Sequence, residues 1–414
     1  MSFTNIYTIV IVAVLVVEHI LLILSSVLNM RSLNPILPQE FESVFDEQQY
    51  VRSQQYTRTR TKFNLISGTM NLLIVLVWWH IGGFEWLDQL IREMALGTVM
   101  TGLLYIGSLG FASTILGLPF ALYSTFVIES RYDFNRTTAF TFVTDLIKSI
   151  ALAVVLGGFL LGIVLLLFEW TGTFAWLWCW GAVTIFVLFM QFVTPRWILP
   201  LFNKFTPLES GELRESIMSY ARSAEFPLQG IFVVDGSKRS SKANAFFTGF
   251  GRNKRIGLFD TLVQRYSVSE LVAVVAHEIG HYKKRHILKS MAFQIGHMGA
   301  LFYILAFILE QKELFDAFYM TEMSVYAGFV FFGLLFTPIE MILSVIMNVM
   351  SRKDEFEADA FAAKTTGGEE SLISALKKLS ADSLTNLTPH PFYVFLNYSH
   401  PPILRRIKAL RTNS

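Results

Sequence analysis

The chain is poor in cysteine and in charge. Cys179 is the single cysteine among 414 residues, so no disulfide can form within the chain. Charged residues make up only 16% of the sequence, against about 25% in soluble domains, and the net charge is +2. These shortages exclude a disulfide scaffold, a disordered chain, an ordinary cytosolic enzyme and a basic nucleic-acid-binding protein. Hydrophobic residues make up 53% of the sequence, and 38 residues are phenylalanines.

Seven apolar stretches are long enough to cross a bilayer. A membrane helix needs about 20 mostly apolar residues to span roughly 30 Å of hydrocarbon. The stretches are 6–28, 64–83, 96–121, 147–168, 174–193, 291–310 and 325–349. The first has no basic segment before it and no small-residue cleavage site after it, so we expect a membrane span there, not a cleaved signal. The sequence therefore predicts an all-α polytopic membrane protein in a lipid bilayer.

The distribution of lysine and arginine predicts the orientation of these spans. Basic residues are numerous in one set of segments: 31–62, 122–146, 194–290 and the tail after 350. They are scarce in the alternate loops: 84–94, 169–173 and 311–324. Because basic loops stay on the cytoplasmic side, we expect the N-terminus outside and the C-terminus inside.

The polar segment between the fifth and sixth spans is predicted to fold as α+β. Its pattern indicates a helix at 209–224, a strand at 231–234, a hairpin of 243–249 with 255–259 around Gly251-Arg252-Asn253, and a helix at 268–289. After the seventh span, helices are expected at 352–366 and 369–381, with a break at Gly367-Gly368, and a last basic helix ends the chain.

The strongest local motif is His277-Glu278-Ile279-Gly280-His281. Two histidines at positions i and i+4 share one helix face, so both imidazoles can bind one Zn²⁺, and Glu278 can reach a water on that ion. Chance predicts about 0.01 such matches in a chain of this composition. The alternative is a helix that simply carries two histidines. The apolar run 271–276 before the motif indicates a buried helix, where imidazoles need partners.

A zinc site of this kind needs a third protein ligand and an open fourth position. The acidic run after the seventh span offers candidates: Asp354, Glu355, Glu357 and Asp359. Glu355 and Asp359 are four residues apart and share a face, so one can bind the metal while the other holds a ligating imidazole. The residues alone leave Glu355 open against Asp354 and Asp359. Glu357 is expected on the opposite face, in solvent.

Two further groups are candidates for catalysis and substrate binding. His400 and Arg406 are positioned to donate hydrogen bonds to an oxyanion, although for Arg406 a basic helix that faces anionic lipid is the favoured alternative. The hairpin strand can hold an extended peptide if it lies at a sheet edge, and an internal strand is the alternative. That strand contains Asn244, Ala245, Phe246 and Phe247.

Ionisable residues inside the spans are costly and usually face protein or water. Glu18 and His19 lie in the first span and Glu340 lies in the seventh. A water-filled interior and direct pairing between helices explain them equally well.

Several separate runs give the chain a resemblance to the type I CAAX prenyl proteases, the seven-span zinc metallopeptidases of membranes. The runs are 118–129 with Phe134-Asn135, 200–208, 244–250, the HEIGH motif, the Glu355-to-Asp359 spacing, and Ser399-His400-Pro401 followed by Arg406. The resemblance covers almost the whole chain.

The resemblance implies roles for individual residues and an overall architecture. It makes Glu355 the third ligand of a single Zn²⁺, places Asp359 behind the ligands, and puts His400 and Arg406 beside the catalytic centre. The implied fold is seven helices around a water-filled intramembrane chamber, with a small gluzincin-like α+β domain on the cytoplasmic side. The corresponding segments are 1–193, with five spans; 194–290, with the HExxH helix; 291–350, with two spans; and 351–414, which completes the peptidase domain.

The expected activity is peptide-bond hydrolysis by a metal-activated water, with a peptide or protein substrate that carries a C-terminal prenyl group. A membrane quality-control protease with no prenyl requirement is the alternative, and a transporter-like or receptor-like bundle with a structural metal is a third hypothesis. The short sixth loop and a tail without a dilysine signal predict a bacterial member in the plasma membrane, and the endoplasmic reticulum membrane would apply to a eukaryotic member.

Overall fold

The structure, a computed structural model, describes residues 5–249 and 254–412. Within those residues, seven helices are long and apolar enough to cross a membrane, which confirms the predicted number. We call them spans 1 to 7, and they are Ile6–Arg31, Glu47–His80, Thr98–Glu129, Ala139–Trp170, Gly172–Phe202, His286–Ile308 and Val325–Thr366. Shorter helices connect and cap them: Gly83–Arg92, Glu212–Ser223, Asp260–Arg265, Val268–Lys283, Lys312–Ala317, Glu370–Asp382, Pro391–Asn397 and Ile403–Thr412.

Several spans continue well beyond their apolar stretches. Span 2 begins at Glu47, where the Asp46 carboxylate accepts a hydrogen bond from the Gln49 N–H, so its first turns are polar. Span 7 runs without interruption to Thr366 and ends at Gly367, whose φ of 82° is favourable for glycine. The helix expected at 352–366 is therefore the end of span 7. The expected segment limits at 193, 290 and 350 all fall inside continuous helices.

The spans bury little of their apolar surface against one another. The most apolar window of each span is only 6 to 17% buried. Most of that surface is therefore left to face lipid or space between the helices. An aromatic cluster packs at one end of the bundle, where Trp79, Phe318 and Phe331 stack with ring centroids 4.3 and 3.8 Å apart. This cluster lies at the N-terminal end of span 7, away from the polar domain.

The polar domain contains a four-stranded sheet in the order β1-β2-β4-β3. The strands are β1, Phe205–Pro207; β2, Leu228–Val234; β3, Ala245–Thr248; and β4, Lys254–Phe259. Strand β4 is parallel to β2 and antiparallel to β3, so the predicted hairpin is confirmed and β3 lies at the edge of the sheet. The predicted turn at Gly251-Arg252-Asn253, and Phe250, lie outside the described residues.

The HExxH helix, Val268–Lys283, packs beneath this sheet. A capping box starts it, because the Ser267 hydroxyl accepts from the Glu270 N–H while the Glu270 carboxylate accepts from the Ser267 N–H. The helix ends earlier than expected. Arg285 has a φ of 58°, in the left-handed region, and span 6 begins at His286. The prediction of one helix over 268–289 was therefore wrong: a sharp turn divides it.

Candidate metal centre

Three side chains converge where the HExxH helix meets the C-terminal part of span 7. The Nε2 atoms of His277 and His281 are 3.2 Å apart. Glu355 Oε1 lies 3.3 Å from His281 Nε2, and Glu355 Oε2 lies 3.5 Å from His277 Nε2. Ligands that sit 2.0–2.1 Å from a tetrahedral zinc ion are separated by roughly 3.3–3.4 Å. Each distance is close to that separation, and the two histidines contact different oxygens of the Glu355 carboxylate, so the three side chains can surround one zinc ion.

A glycine allows the two helices that carry these ligands to approach closely. A Cβ atom placed on Gly280 would lie 3.1 Å from both the Cα and the carbonyl oxygen of Ala358 on span 7. A larger residue would therefore push the helices apart. The glycine inside the HExxH motif thus brings Glu355 to the two histidines, although the two segments are distant in sequence.

The charge of Glu355 suits a cation. Its side chain is buried, and its Oε2 atom accepts no well-aligned hydrogen bond from the described residues, although Arg406 Nη1 lies 3.2 Å and His400 Nδ1 3.0 Å from it. Arg406 also pairs with the buried carboxylate of Asp359, so one of the two negative charges is left for a cation to compensate. Among the described residues, the imidazole of His281 is the only possible hydrogen-bond donor to His277 Nε2, and an ion between the two rings would relieve this contact. The donor set therefore fits Zn²⁺.

Asp359 lies behind the imidazole of His277. Its Oδ1 atom is 2.9 Å from His277 Nδ1. A proton on Nδ1 leaves the Nε2 lone pair free for a metal, and a carboxylate behind the ring favours that tautomer. Asp359 itself is held by Arg406, which donates from Nε at 2.7 Å and from Nη2 at 2.6 Å.

Arg406 is buried, and its third nitrogen, Nη1, lies 3.2 Å from Glu355 Oε2. The alternative of a lipid-facing Arg406 is therefore wrong, because the guanidinium points into the protein. Its nitrogens contact carboxylates, so its position suits holding the ligand shell more than donating to an oxyanion. Its neighbours Arg405 and Lys408 on the same helix are exposed.

His400 lies on the solvent side of the centre. Its Nδ1 atom is 3.0 Å from Glu355 Oε2, while 65% of its side chain remains exposed. The loop that carries it is tied to span 7, because Arg352 Nη1 donates to the carbonyl oxygens of Val394 and Tyr398. One face of the imidazole is therefore free to meet a substrate.

Glu278 points to the same centre from the HExxH helix. Burial raises the pKa of its carboxyl group, and the nearby imidazoles of His277 and His281 act in the opposite direction. No hydrogen bond from the described residues engages it. A carboxylate with a raised pKa and free oxygens is suited to accept and return a proton.

The predicted substrate strand has an open edge. Phe259 N donates to the Asn244 carbonyl at 3.0 Å, so the Asn244 backbone faces β4. Backbone direction alternates along an antiparallel strand, so Phe246 also faces β4, while Ala245 and Phe247 face outward. The side-chain oxygen of Asn244 accepts a hydrogen bond from the Ala245 N–H at 2.9 Å.

A second group of side chains lies behind His281. His286 Nδ1 is 3.1 Å from His281 Nδ1, and His286 Nε2 is 3.4 Å from both Asp354 Oδ1 and Glu357 Oε2. Glu357 was expected in solvent, and 34% of its side chain is exposed, while its Oε2 atom also lies 3.4 Å from the buried His286. Sequence reasoning missed His286, because a continuous helix would have pointed it elsewhere. Its five-residue distance from His281 was the available signal.

Comparison with known proteins identifies the family. The family described as CAAX prenyl protease N-terminal, five membrane helices, matches residues 26–204, and peptidase family M48 matches residues 207–414. The chain belongs to peptidase family M48. It is therefore a multi-pass membrane metallopeptidase, as the resemblance in the sequence predicted.

Members of this family match the present chain over nearly its whole length. CAAX prenyl protease 1 homolog of Oryza sativa subsp. japonica is 36% identical over 91% of this chain and 90% of its own length. CAAX prenyl protease 1 of Saccharomyces cerevisiae is 36% identical over 90% and 88%, and the Homo sapiens homolog is 32% identical over 91% and 89%. These relatives are eukaryotic and give the expected bacterial origin no support.

A solved structure shares the fold. The crystal structure of S. mikatae Ste24p superimposes with a TM-score of 0.91 at 35% identity, over 98% of this chain and 99% of that one. The seven helices and the small sheet domain therefore form an arrangement shared with that protein.

Proposed function

We propose that this chain is a zinc-dependent endopeptidase that cleaves peptides with a prenylated CAAX end. The observation that carries the proposal is the triangle of His277, His281 and Glu355, with Glu278 beside it, between the HExxH helix and span 7. An apolar chamber between the spans, which the family resemblance implies, would place room for a lipid next to the hydrolytic centre, as a substrate with both a peptide and a lipid part requires. The relatives named CAAX prenyl proteases support the same substrate class.

The proposed roles follow from the geometry. When bound, zinc lowers the pKa of a water and polarises the scissile carbonyl. Glu278 takes the proton from the attacking water and delivers it to the leaving amine. His400 donates to the oxygen that gains negative charge, since its ring is exposed beside the ligands. Asp359 and Arg406 keep His277 and Glu355 in place.

The substrate backbone is proposed to pair with β3. Ala245 and Phe247 turn backbone groups towards the open edge, so an extended peptide can add there as a fifth strand. Asn244 and Phe246 then hold β3 against β4 and fix the position of that edge. The chamber between the spans is proposed to take the prenyl chain.

The basic loops support an orientation with the metal centre and the C-terminus in the cytoplasm and the N-terminus outside. Both sequence segments that build the centre then lie on one side of the membrane. Because the native Cys179 is buried, single cysteines introduced into the basic loops would test this placement, and a membrane-impermeant thiol reagent should label them from the cytoplasmic side only.

The deciding experiment compares one CAAX peptide with and without a farnesyl group. We expect the purified protein in lipid to cleave the farnesylated peptide, to lose activity with a zinc chelator, and to regain it with added Zn²⁺. Equal cleavage of both peptides would favour the quality-control alternative. Full activity in a chain shown to be metal-free would contradict the proposal.

A further inference from the structure

His286 is a buried histidine that the proposed chemistry does not use. It is the first residue of span 6, directly after the left-handed Arg285, and only 4% of it is exposed. That turn directs its ring towards the back of His281, with ring centroids 5.1 Å apart and nearly perpendicular planes. The contact joins the two Nδ1 atoms at 3.1 Å.

The group made by His286, Asp354 and Glu357 also has the composition of a metal site. The number of protons on the imidazoles of His281 and His286 decides whether this group binds a second metal or supports His281. A neutral imidazole has one N–H and one acceptor nitrogen. If His281 binds zinc through Nε2, its Nδ1 carries the proton and donates to His286 Nδ1. The proton of His286 then sits on Nε2, where it points to the carboxylates.

A second metal at His286 Nε2 is incompatible with that arrangement. It would place a proton on His286 Nδ1 as well, so two N–H groups would face each other across 3.1 Å. Neutral imidazoles can therefore hold a metal at one of the two places, not at both. The centre with two histidines and a buried glutamate is the stronger site.

We propose that His286 is a positioning residue for the zinc ligand His281. The ring of His286 connects His281 to the negatively charged side chains of Glu357 and Asp354. Glu357 Oε2 accepts from His286 Nε2–H, and His286 Nδ1 accepts from His281 Nδ1–H. The hydrogen-bond chain fixes the tautomer and the ring orientation of His281. Asp359 does the same for His277 by direct contact. This inference rests on the proposed metal centre.

The test measures metal affinity with two replacements of different chemistry. His286→Leu removes both the acceptor and the donor, and we expect zinc affinity to fall 10- to 100-fold in competition with a chromogenic chelator. His286→Gln keeps an amide oxygen for His281 and an amide N–H for Glu357, so it should recover most of that loss. Lys284→Ala, an exposed residue at the same helix junction, is the control.

Further measurements separate positioning from a structural role. Cobalt substituted for zinc should show a shifted d–d absorption spectrum in His286→Leu, while the melting temperature of the metal-free protein changes little. Equal zinc affinity in wild type and His286→Leu would overturn the inference, as would two tightly bound zinc ions per wild-type chain. A wild-type chain that binds no zinc would instead defeat the proposed function.

Discussion

Arg406 holds both carboxylate oxygens of Asp359, at 2.7 and 2.6 Å, and reaches Glu355 with its remaining nitrogen. The last helix of the chain is thereby fastened to the metal-binding end of span 7. Two buried carboxylates and one guanidinium leave a net charge of −1 before any metal binds. A divalent cation reverses that sign, which explains how the centre tolerates two acidic groups in a dry environment.

Removal of this guanidinium should cost both stability and metal. Arg406→Ala leaves Asp359 buried without its partner, and such losses amount to about 3–5 kcal/mol. Arg406→Lys should also be impaired, since an ammonium group cannot donate in a fork to both oxygens. Thermal melts in detergent and zinc analysis would measure the two effects, with the exposed Arg405→Ala as the control. An Arg406 variant with normal stability and zinc content but a lowered kcat would instead support a role of Arg406 as a donor to the oxyanion.

Glu278→Gln should abolish most of the hydrolysis while zinc stays bound. The amide has nearly the shape of the carboxylate but cannot take a proton, and general acid–base groups contribute about 10²–10⁴-fold. Single-turnover rates with a farnesylated peptide, normalised to zinc content, would measure the loss. Glu215→Gln, an exposed carboxylate in the same domain, is the matched control. Near-normal turnover in Glu278→Gln would remove the residue from the mechanism.

The local part of this centre could be predicted from the sequence. The spacings His277–His281 and Glu355–Asp359 place each pair on one helix face, and that geometry depends only on the helical repeat. The pairing of the two helices could not be predicted in this way, because it depends on the space left by Gly280 against Ala358. The role of Arg406 is also non-local, since a basic helix in isolation gives no sign of a buried acidic partner.

The errors in the predicted elements have similar causes. Hydropathy marks the apolar part of a helix, so it did not show that spans 2 and 7 continue as helices through polar turns beyond that part. The break at Arg285 arises from a left-handed residue that is not glycine, and no turn signal marks it in the sequence. That single conformation decides the place of His286 and, through it, the surroundings of Glu357.

His400→Ala should lower kcat without loss of metal or stability. The imidazole contacts Glu355 but is mostly exposed, so its removal leaves little buried surface unpaired. Loss of an oxyanion donor lowers kcat by about 10²–10³-fold. We expect KM and the melting temperature to stay near wild type, with Lys408→Ala as the surface control. A variant that loses zinc would instead make His400 part of the ligand shell.

Methylation of the substrate backbone should reveal pairing with β3. Amides that donate to the outward carbonyls of Ala245 and Phe247 should raise KM when methylated, by about 2- to 12-fold for one lost hydrogen bond, and more where the methyl group also clashes. The intervening amides point away from the strand and should tolerate methylation. A series of farnesylated peptides, each methylated at one position, would supply the KM values. A uniform effect along the peptide would argue against strand addition.

The folded state should become more stable as the pH rises from about 8 to 10.5, because the buried side chain of Lys254 loses its charge in this range. Its side chain is only 4% exposed, its Nζ lies 3.0 Å from the centre of the Tyr282 ring, and no carboxylate among the described residues pairs with it. Burial lowers its pKa from 10.5 to about 8. Between these values the unfolded chain binds more protons than the folded chain, so stability rises with pH in that window.

Lys254→Met tests this directly. The buried charge costs the wild type roughly 2–4 kcal/mol below pH 8, partly offset by the aromatic contact, and this cost disappears by about pH 10.5. The variant should therefore melt higher than wild type at pH 7, and the difference should shrink as the pH approaches 10.5. Lys283→Met, which removes a lysine paired with Glu225, corrects for general titration. Parallel melting curves for wild type and Lys254→Met across this range would show that Lys254 keeps an ordinary pKa, and that the ring of Tyr282 compensates its burial in full.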